Sequence, residues 1–283
     1  MMEKSEEIEI YFQIAKKLTL EAGKILKTAI ESEKKVMAKG NQGDIVTASD
    51  QQIEKILITG LSSEFPEHKF IAEESTENDQ QVLTNAPTWI IDPIDGTVNF
   101  VHSFPQCCIS IGLTINKTLE VGIIYNPCNE ELYTAKRGQG AFLNGKQLRV
   151  SDVKELSTAL MIIEPGVLRR TRAHLDIAKG RMEVLCSSAR GIRNVGSAAL
   201  ALAYVARGII DIFHLDYMQP WDVAAGFLLV TEAGGTVIDT KGGPPNLLKP
   251  LIIASGTSEL AQEVSQLIID TDLKIQRKRL KRT

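Results

Sequence analysis

Trp89-Ile90-Ile91-Asp92-Pro93-Ile94-Asp95-Gly96-Thr97-Val98-Asn99-Phe100 is an apolar β-type run that breaks off at two carboxylates. Pro93 has no ladder donor and Gly96 invites a turn, so the run is expected not to continue as a central strand, and Asp92 and Asp95 emerge together at its end. Like charges held that close repel and raise one pKa unless a cation sits between them, and hard oxygen donors in a crowded spot suit Mg²⁺. Gly96-Thr97 has the form of a helical turn whose free N–H groups face an anion. An isolated Asp-x-x-Asp reads more simply as a turn cap.

Two other acidic places change that weighing. Glu73-Glu74 directly follows the short strand run Phe70-Ile71-Ala72, and Asp222 stands at the start of the apolar helix that opens Pro220-Trp221-Asp222-Val223-Ala224-Ala225-Gly226. Around them the periodicities alternate. Apolar positions from Ile8 to Ala29 recur at three and four and predict a long first helix; a glycine-broken stretch at 40–43 follows, then a second helix from Thr47 to before Phe65-Pro66. Runs at 107–114, 121–125 and 132–134, with a hairpin signal at Asn144-Gly145, predict a mostly antiparallel sheet. The second half mixes strands at 159–163, 209–213, 236–238 and 251–254 with helices at 197–207, 221–233 and 258–269. No repeat or linker divides the chain, so a single domain is expected over 1–283, with approximate subdomains 1–150 and 151–270 and a basic tail at 274–283.

These motifs, in this order, resemble the inositol monophosphatase family of Mg²⁺-dependent, lithium-sensitive phosphatases, and the animal inositol monophosphatases within it. Both family signatures are present, at 89–100 and 221–226, and the similarity extends through 39–50, 70–75, 138–150 and 191–199. The resemblance implies a layered αβαβα sandwich, α+β or α/β in class, shared with the sugar bisphosphatases. It implies that Glu73, Asp92 and the carbonyl of Ile94 hold one Mg²⁺, and that Asp92, Asp95 and Asp222 hold a second. By the resemblance Glu73 would also position a metal-bound water, which Thr97, paired with Asp50, would orient and deprotonate. By the same resemblance Gly96 and Thr97 would receive phosphate oxygens, Asp95 would also belong to the phosphate- and substrate-binding set, Gly196, Ser197 and Ala198 would touch the leaving alcohol, and Lys39 would sit in a loop near the metals. For Ser197, a helix cap is an equally good reading.

One position departs from the animal enzymes. Where they carry a glutamate that hydrogen-bonds an inositol hydroxyl, this chain has Leu215, and its neighbour Asp216 would point to the opposite side of a continuing strand. The implied activity is hydrolysis of inositol monophosphate to inositol and phosphate. A nucleoside or sugar bisphosphatase on the same metals, and a non-catalytic binding paralogue, are the alternatives.

Composition excludes other classes. Hydrophobic residues at 43% and charged residues at 24% match a folded globular chain, and 35 acids against 32 Lys and Arg give no whole-surface field to hold nucleic acid or anionic lipid. There is no apolar leader or membrane-length run, and four cysteines without C-x-x-C spacing fit a reduced, cytoplasmic protein. The expected partner is a small phosphate monoester, and the resemblance adds a homodimer. Cys107 and Cys108 read as buried strand residues. His68, His102, His174 and His214 are scattered, which leaves no nucleophile–base pair. Gly140-Ala141-Phe142-Leu143-Asn144-Gly145-Lys146-Gln147 nearly spells a P-loop, but Gln147 replaces the Mg²⁺-binding hydroxyl and Asn144-Gly145 makes a hairpin.

Overall fold

A computed structural model of the chain describes residues 2–32, 36–38, 45–76, 81–166 and 175–280. Helix α1 (Met2–Ile30) buries Ile8, Tyr11, Phe12, Ala15, Ala22 and Leu26 along one stripe, as the three–four spacing requires. Helix α2 (Ala48–Glu64) starts at a capping box made by Thr47 and Asp50 and buries Ile53, Leu57 and Leu61. Between them, β1 (Val36–Ala38) and β2 (Ile45–Thr47) pair antiparallel. Three-residue strands are too short to show alternation, so the sequence reads that stretch only as a break.

Seven strands form the larger sheet: β3 (Lys69–Ala72), β4 (Thr88–Asp95), β5 (Cys108–Ile115), β6 (Thr118–Asn126), β7 (Glu131–Lys136), β8 (Ala141–Leu143) and β9 (Lys146–Gln147), side by side in that order. All neighbours are antiparallel except β3 and β4. Asn144 and Gly145, both at positive φ, make the β8–β9 hairpin and dispose of the P-loop reading. The smaller sheet has the order β11 (Gly191–Arg193), β10 (Leu160–Ile163), β12 (Ile212–Asp216), β14 (Leu251–Ser255), β13 (Thr236–Asp239); its first three strands are parallel. The remaining helices are the short α3 (Thr97–Val101), α4 (Leu175–Ser188), α5 (Ala198–Ala206), α6 (Pro220–Glu232) and α7 (Ser258–Leu280).

Three apolar clusters define the layers. One packs α1 and α2 on the larger sheet through Ile91, Ile94, Ile109 and Ile111; a second fills the space between the sheets with α5 and α6; a third covers the outer face of the smaller sheet with α4 and α7. The result is helices, sheet, helices, sheet, helices, the αβαβα sandwich expected. Gly112 and Gly122 let α6 lie directly on the larger sheet, since a Cβ at either would stand 2.7 Å from Ala224 or Ala225 atoms. Ser110 fixes the helix start there by donating to the Trp221 carbonyl at 3.2 Å. No helix among the described residues is long and apolar enough to cross a membrane.

Three expectations need correction. Strand β4 does not stop at Asp92 but runs through Pro93 to Asp95, with a register shift between the pairs Asp92–Ser110 and Asp95–Cys108. Proline is tolerated because the irregularity needs no donor there and β3 has ended at Ala72, opposite Ile91. The strand expected at 209–213 begins only at Ile212. The last helix does not end near 269, and the basic stretch is not a detached tail: α7 continues to Leu280, with Ile275 against Gly180 of α4 and Arg279 paired with Asp176 at 3.3 Å.

Candidate active site

The C-terminal end of β4 and the first turn of α6 meet. Carboxylate oxygens of Asp92, Asp95 and Asp222 lie within 4.8 Å of one another. Asp92 is 2% and Asp95 7% exposed. Asp222 is anchored as part of the α6 cap, where its Oδ2 accepts the Gln219 N–H at 2.7 Å, and the Ile94 N–H donates to Asp92 Oδ1 at 3.0 Å. Glu73 follows β3, its N–H donating to the Ile91 carbonyl at 3.2 Å, and its carboxyl shares a hydrogen bond with that of Asp92.

Such crowding is electrostatically unfavourable. Burial, then the charges of Glu73, Asp95 and Asp222, hold the Asp92 carboxyl well above the usual carboxylate range. Asp95 is pushed up to about 6, chiefly by burial and against the Ser197 and Ala199 hydrogen bonds that favour its ionised form. The donors are hard oxygens, with Asp92 and Asp95 buried and Asp222 half-buried, an arrangement that fits a metal ion.

The other expected residues fall at varied distances from this centre. Gly96 precedes α3 at φ +87°, and a Cβ there would come within 2.8 Å of the Gln106 carbonyl, so only glycine fits. Thr97 donates to the Ile94 carbonyl at 3.1 Å rather than to Asp50. Asp50 instead accepts the Thr47 N–H and hydroxyl on Oδ2, at 2.9 and 2.5 Å, while its Oδ1 is buried with no partner; burial raises its pKa. The Thr97–Asp50 pair is therefore not formed: Thr97 is bonded to Ile94, and Asp50 is held on one oxygen by Thr47. Ser197 caps α5, accepting the Leu200 N–H at 3.2 Å, and it also donates to Asp95 at 2.5 Å, beside the Ala199 N–H at 2.7 Å. The cap reading of Ser197 is thus met, and its hydroxyl also ties α5 to Asp95. Gly196, at φ +73°, and Ala198 flank it.

Leu215 packs with the cluster between the sheets. Asp216 points to the opposite face and is ion-paired with Arg181 of α4, which also grips Asp272 of α7. It is committed there and does not replace the missing glutamate. Lys39 and His174 lie outside the described residues. Of the other histidines, His68 accepts from Trp89 Nε1 at 3.0 Å and His214 Nδ1 lies 2.9 Å from the Ile252 carbonyl, which are structural contacts. Cys107 and Cys108 are buried as expected; burial raises the Cys108 thiol pKa.

Two residues escaped the sequence reading. Asn99 donates to the carbonyls of Gln106 and Val195, at 2.7 and 2.8 Å, and Glu164 accepts the N–H groups of Val195 and Gly196 at 3.0 and 2.9 Å. A signal for Glu164 existed: it follows its strand as directly as Glu73 follows β3.

Comparison with known proteins agrees with this geometry. The model of the inositol monophosphatase family matches residues 7–270. Inositol monophosphatase 2 of Mus musculus is 44% identical over 259 residues, 91% of this chain and 89% of that protein. Among solved structures, the extragenic suppressor protein suhB of Bartonella henselae superposes with a TM-score of 0.82 at 35% identity, covering 92% of this chain and 98% of that one. SaIMPase-II superposes as solved with inositol monophosphate bound (TM-score 0.79, 26% identity, 95% and 99% covered) and with 2'AMP bound (0.81, 29%, 96% and 99%). A match of that length, joined to acidic side chains brought together from the two signature segments with Glu73 of a third beside them, has one reading: this chain belongs to the inositol monophosphatase family.

Proposed function

We propose that the protein hydrolyses inositol monophosphate, together with other small phosphate monoesters, at the centre formed by Asp92, Asp95 and Asp222. The observation that carries this is the convergence of three carboxylates, two of them buried, beside Glu73, in a member of this family. Asp92, Asp95 and Asp222, with Glu73 and the Ile94 carbonyl, would hold Mg²⁺, and Li⁺ and the larger Ca²⁺ are expected to inhibit. A divalent cation bound there polarises the phosphoryl oxygens and makes water a stronger nucleophile near neutral pH.

The chain's own groups do the rest. Glu73, at the end of β3 beside Asp92, is placed to orient the attacking water. In catalysis the Thr97 hydroxyl would turn from the Ile94 carbonyl to take the water's proton, and the buried, unpartnered Oδ1 of Asp50 is the acceptor we assign behind it. The N–H groups of Gly96 and Thr97, at the turn where β4 passes into α3, receive the phosphate. The convergence of these groups also argues against a binding-only paralogue, which has no use for buried like charges.

Leu215 sets the breadth of substrate choice. An apolar wall cannot accept the hydroxyl bond that a glutamate accepts, and an apolar pocket discriminates weakly between alcohols. SaIMPase-II, solved with two different phosphate esters, supports a tolerant site in this family. The test is a phosphate-release panel of inositol monophosphates, 2'-AMP, nucleoside bisphosphates and fructose bisphosphate. Several small monoesters should turn over, and Leu215→Glu should lower KM for inositol monophosphate roughly tenfold, the value of one charged hydrogen bond. Sharp preference for inositol phosphates in the wild type, unchanged by Leu215→Glu, contradicts the role given to Leu215. No turnover of any member of the panel contradicts the hydrolase.

A further inference from the structure

Beyond a long contact from Cys108 Sγ of the neighbouring strand, at 3.9 Å, Asp95 is fixed by groups from outside its own sheet. Its Oδ2 takes the Ser197 hydroxyl and the Ala199 N–H, and the Ala198 N–H adds to the same carboxylate. All three come from the head of α5, so the direction of Asp95 depends on where the chain at 194–196 places that helix start.

This turn is gripped from two sides. Glu164, the residue after β10, accepts the N–H groups of Val195 and Gly196 on one oxygen, and on the other the side-chain amide of Asn194. Three consecutive residues thus converge on one carboxylate. From the other side Asn99 of α3 donates to the Val195 carbonyl, and through its bond to the Gln106 carbonyl ties the turn to the loop after α3. Gln106 is in turn held by the Tyr204 hydroxyl of α5 at 2.6 Å. The packing is tight: a Cβ at Gly196 would stand 2.9 Å from the Asn99 amide nitrogen. Asn99 and Asp95 lie on the same short stretch of chain, so the clamp closes a circuit that starts and ends there.

We propose that Glu164 and Asn99 are positioning residues for the cation site: by clamping residues 194–196 they set the Ser197 and Ala199 donors that aim Asp95. The proposal rests on Asp95 being a cation ligand. Groups that orient a metal ligand change metal affinity without touching the metal, commonly by about ten- to a hundredfold. A carboxylate anchoring three donors of a turn, when removed, leaves two backbone N–H groups to find new partners, and the turn moves with them.

The test is Mn²⁺ binding to the substrate-free protein, followed by electron paramagnetic resonance and calorimetry, beside melting temperatures and the metal dependence of turnover. Glu164→Ala should weaken Mn²⁺ roughly tenfold, with much of kcat regained at saturating metal. Glu164→Gln keeps an oxygen for Val195 and Gly196 and should restore affinity to within about threefold of wild type. Asn99→Ser, acting from the other side of the turn, should repeat the weakening and carries the test if Glu164→Ala does not fold. Folded variants at both positions that melt lower yet bind Mn²⁺ as the wild type does would overturn the proposal, leaving Glu164 and Asn99 purely structural. A wild-type protein that binds no Mn²⁺ would overturn the cation site itself, a separate result.

Discussion

Asp92→Asn is expected to cut phosphate release about a thousandfold, equivalent to ~4 kcal/mol of lost barrier lowering, while making the metal-free protein more stable. Asp92 is the most enclosed member of the acidic cluster and feels all three of its neighbours. Removing its charge removes the group on which the cation reading most depends. The same change relieves repulsion when no cation is present. The amide oxygen of the substituted side chain still accepts the Ile94 N–H, and its NH₂ offers Glu73 a donor where a second carboxyl stood, so little packing is lost. Opposite signs for activity and stability mark a site kept for function, since buried like charges are retained against the interest of the fold. A variant that keeps more than about a tenth of wild-type turnover, or that melts well below the metal-free wild type, contradicts this role for Asp92.

The second large effect is in the pH dependence of metal stabilisation. Asp92 and Asp95 have folded-state pKa values above those of the unfolded chain, Asp95 at about 6. A carboxylate raised in the fold contributes stability that is fully present below its unfolded pKa of about 4 and is lost as pH rises through the folded value. The metal-free fold therefore loses this contribution progressively through about pH 6 and above. A cation binds the ionised carboxylates, so its stabilising increment must grow across the same window. With Mg²⁺ at about a hundred times its dissociation constant at about pH 8, melting should rise by on the order of 5 °C, against almost nothing at about pH 5. Surface carboxylates held low by lysines, such as Glu130 by Lys27 and Glu259 by Lys154, are ionised at both pH values and drop out of the comparison. Equal increments at the two pH values, read by calorimetry, contradict the raised carboxylates.

Local signals in the sequence carried most of the fold. The stripe from Ile8 to Leu26, the start of the second helix at Thr47 and the Asn144-Gly145 hairpin each depend on interactions within a few residues, and each is found as read. Where the reading went astray, a distant partner decided the outcome. Pro93 stays in β4 because β3 ends opposite Ile91, and residues 270–280 stay helical because Gly180 of α4 offers Ile275 a place to pack. The candidate site was legible in its residue types, two carboxylates at a strand end and a third in a helix cap. Their convergence was not, since no spacing relates Asp92 to Asp222; it was expected only from the family resemblance. The clamp was illegible for the same reason: Glu164 reaches residues 194–196 because β10 and β11 are parallel neighbours.

The most direct measurement is phosphate release from inositol monophosphate by protein stripped with chelator, then titrated with Mg²⁺. A cation-dependent centre predicts no turnover in excess chelator and full recovery as Mg²⁺ is returned, with Asp92→Asn close to silent throughout. Robust turnover in excess chelator would contradict it.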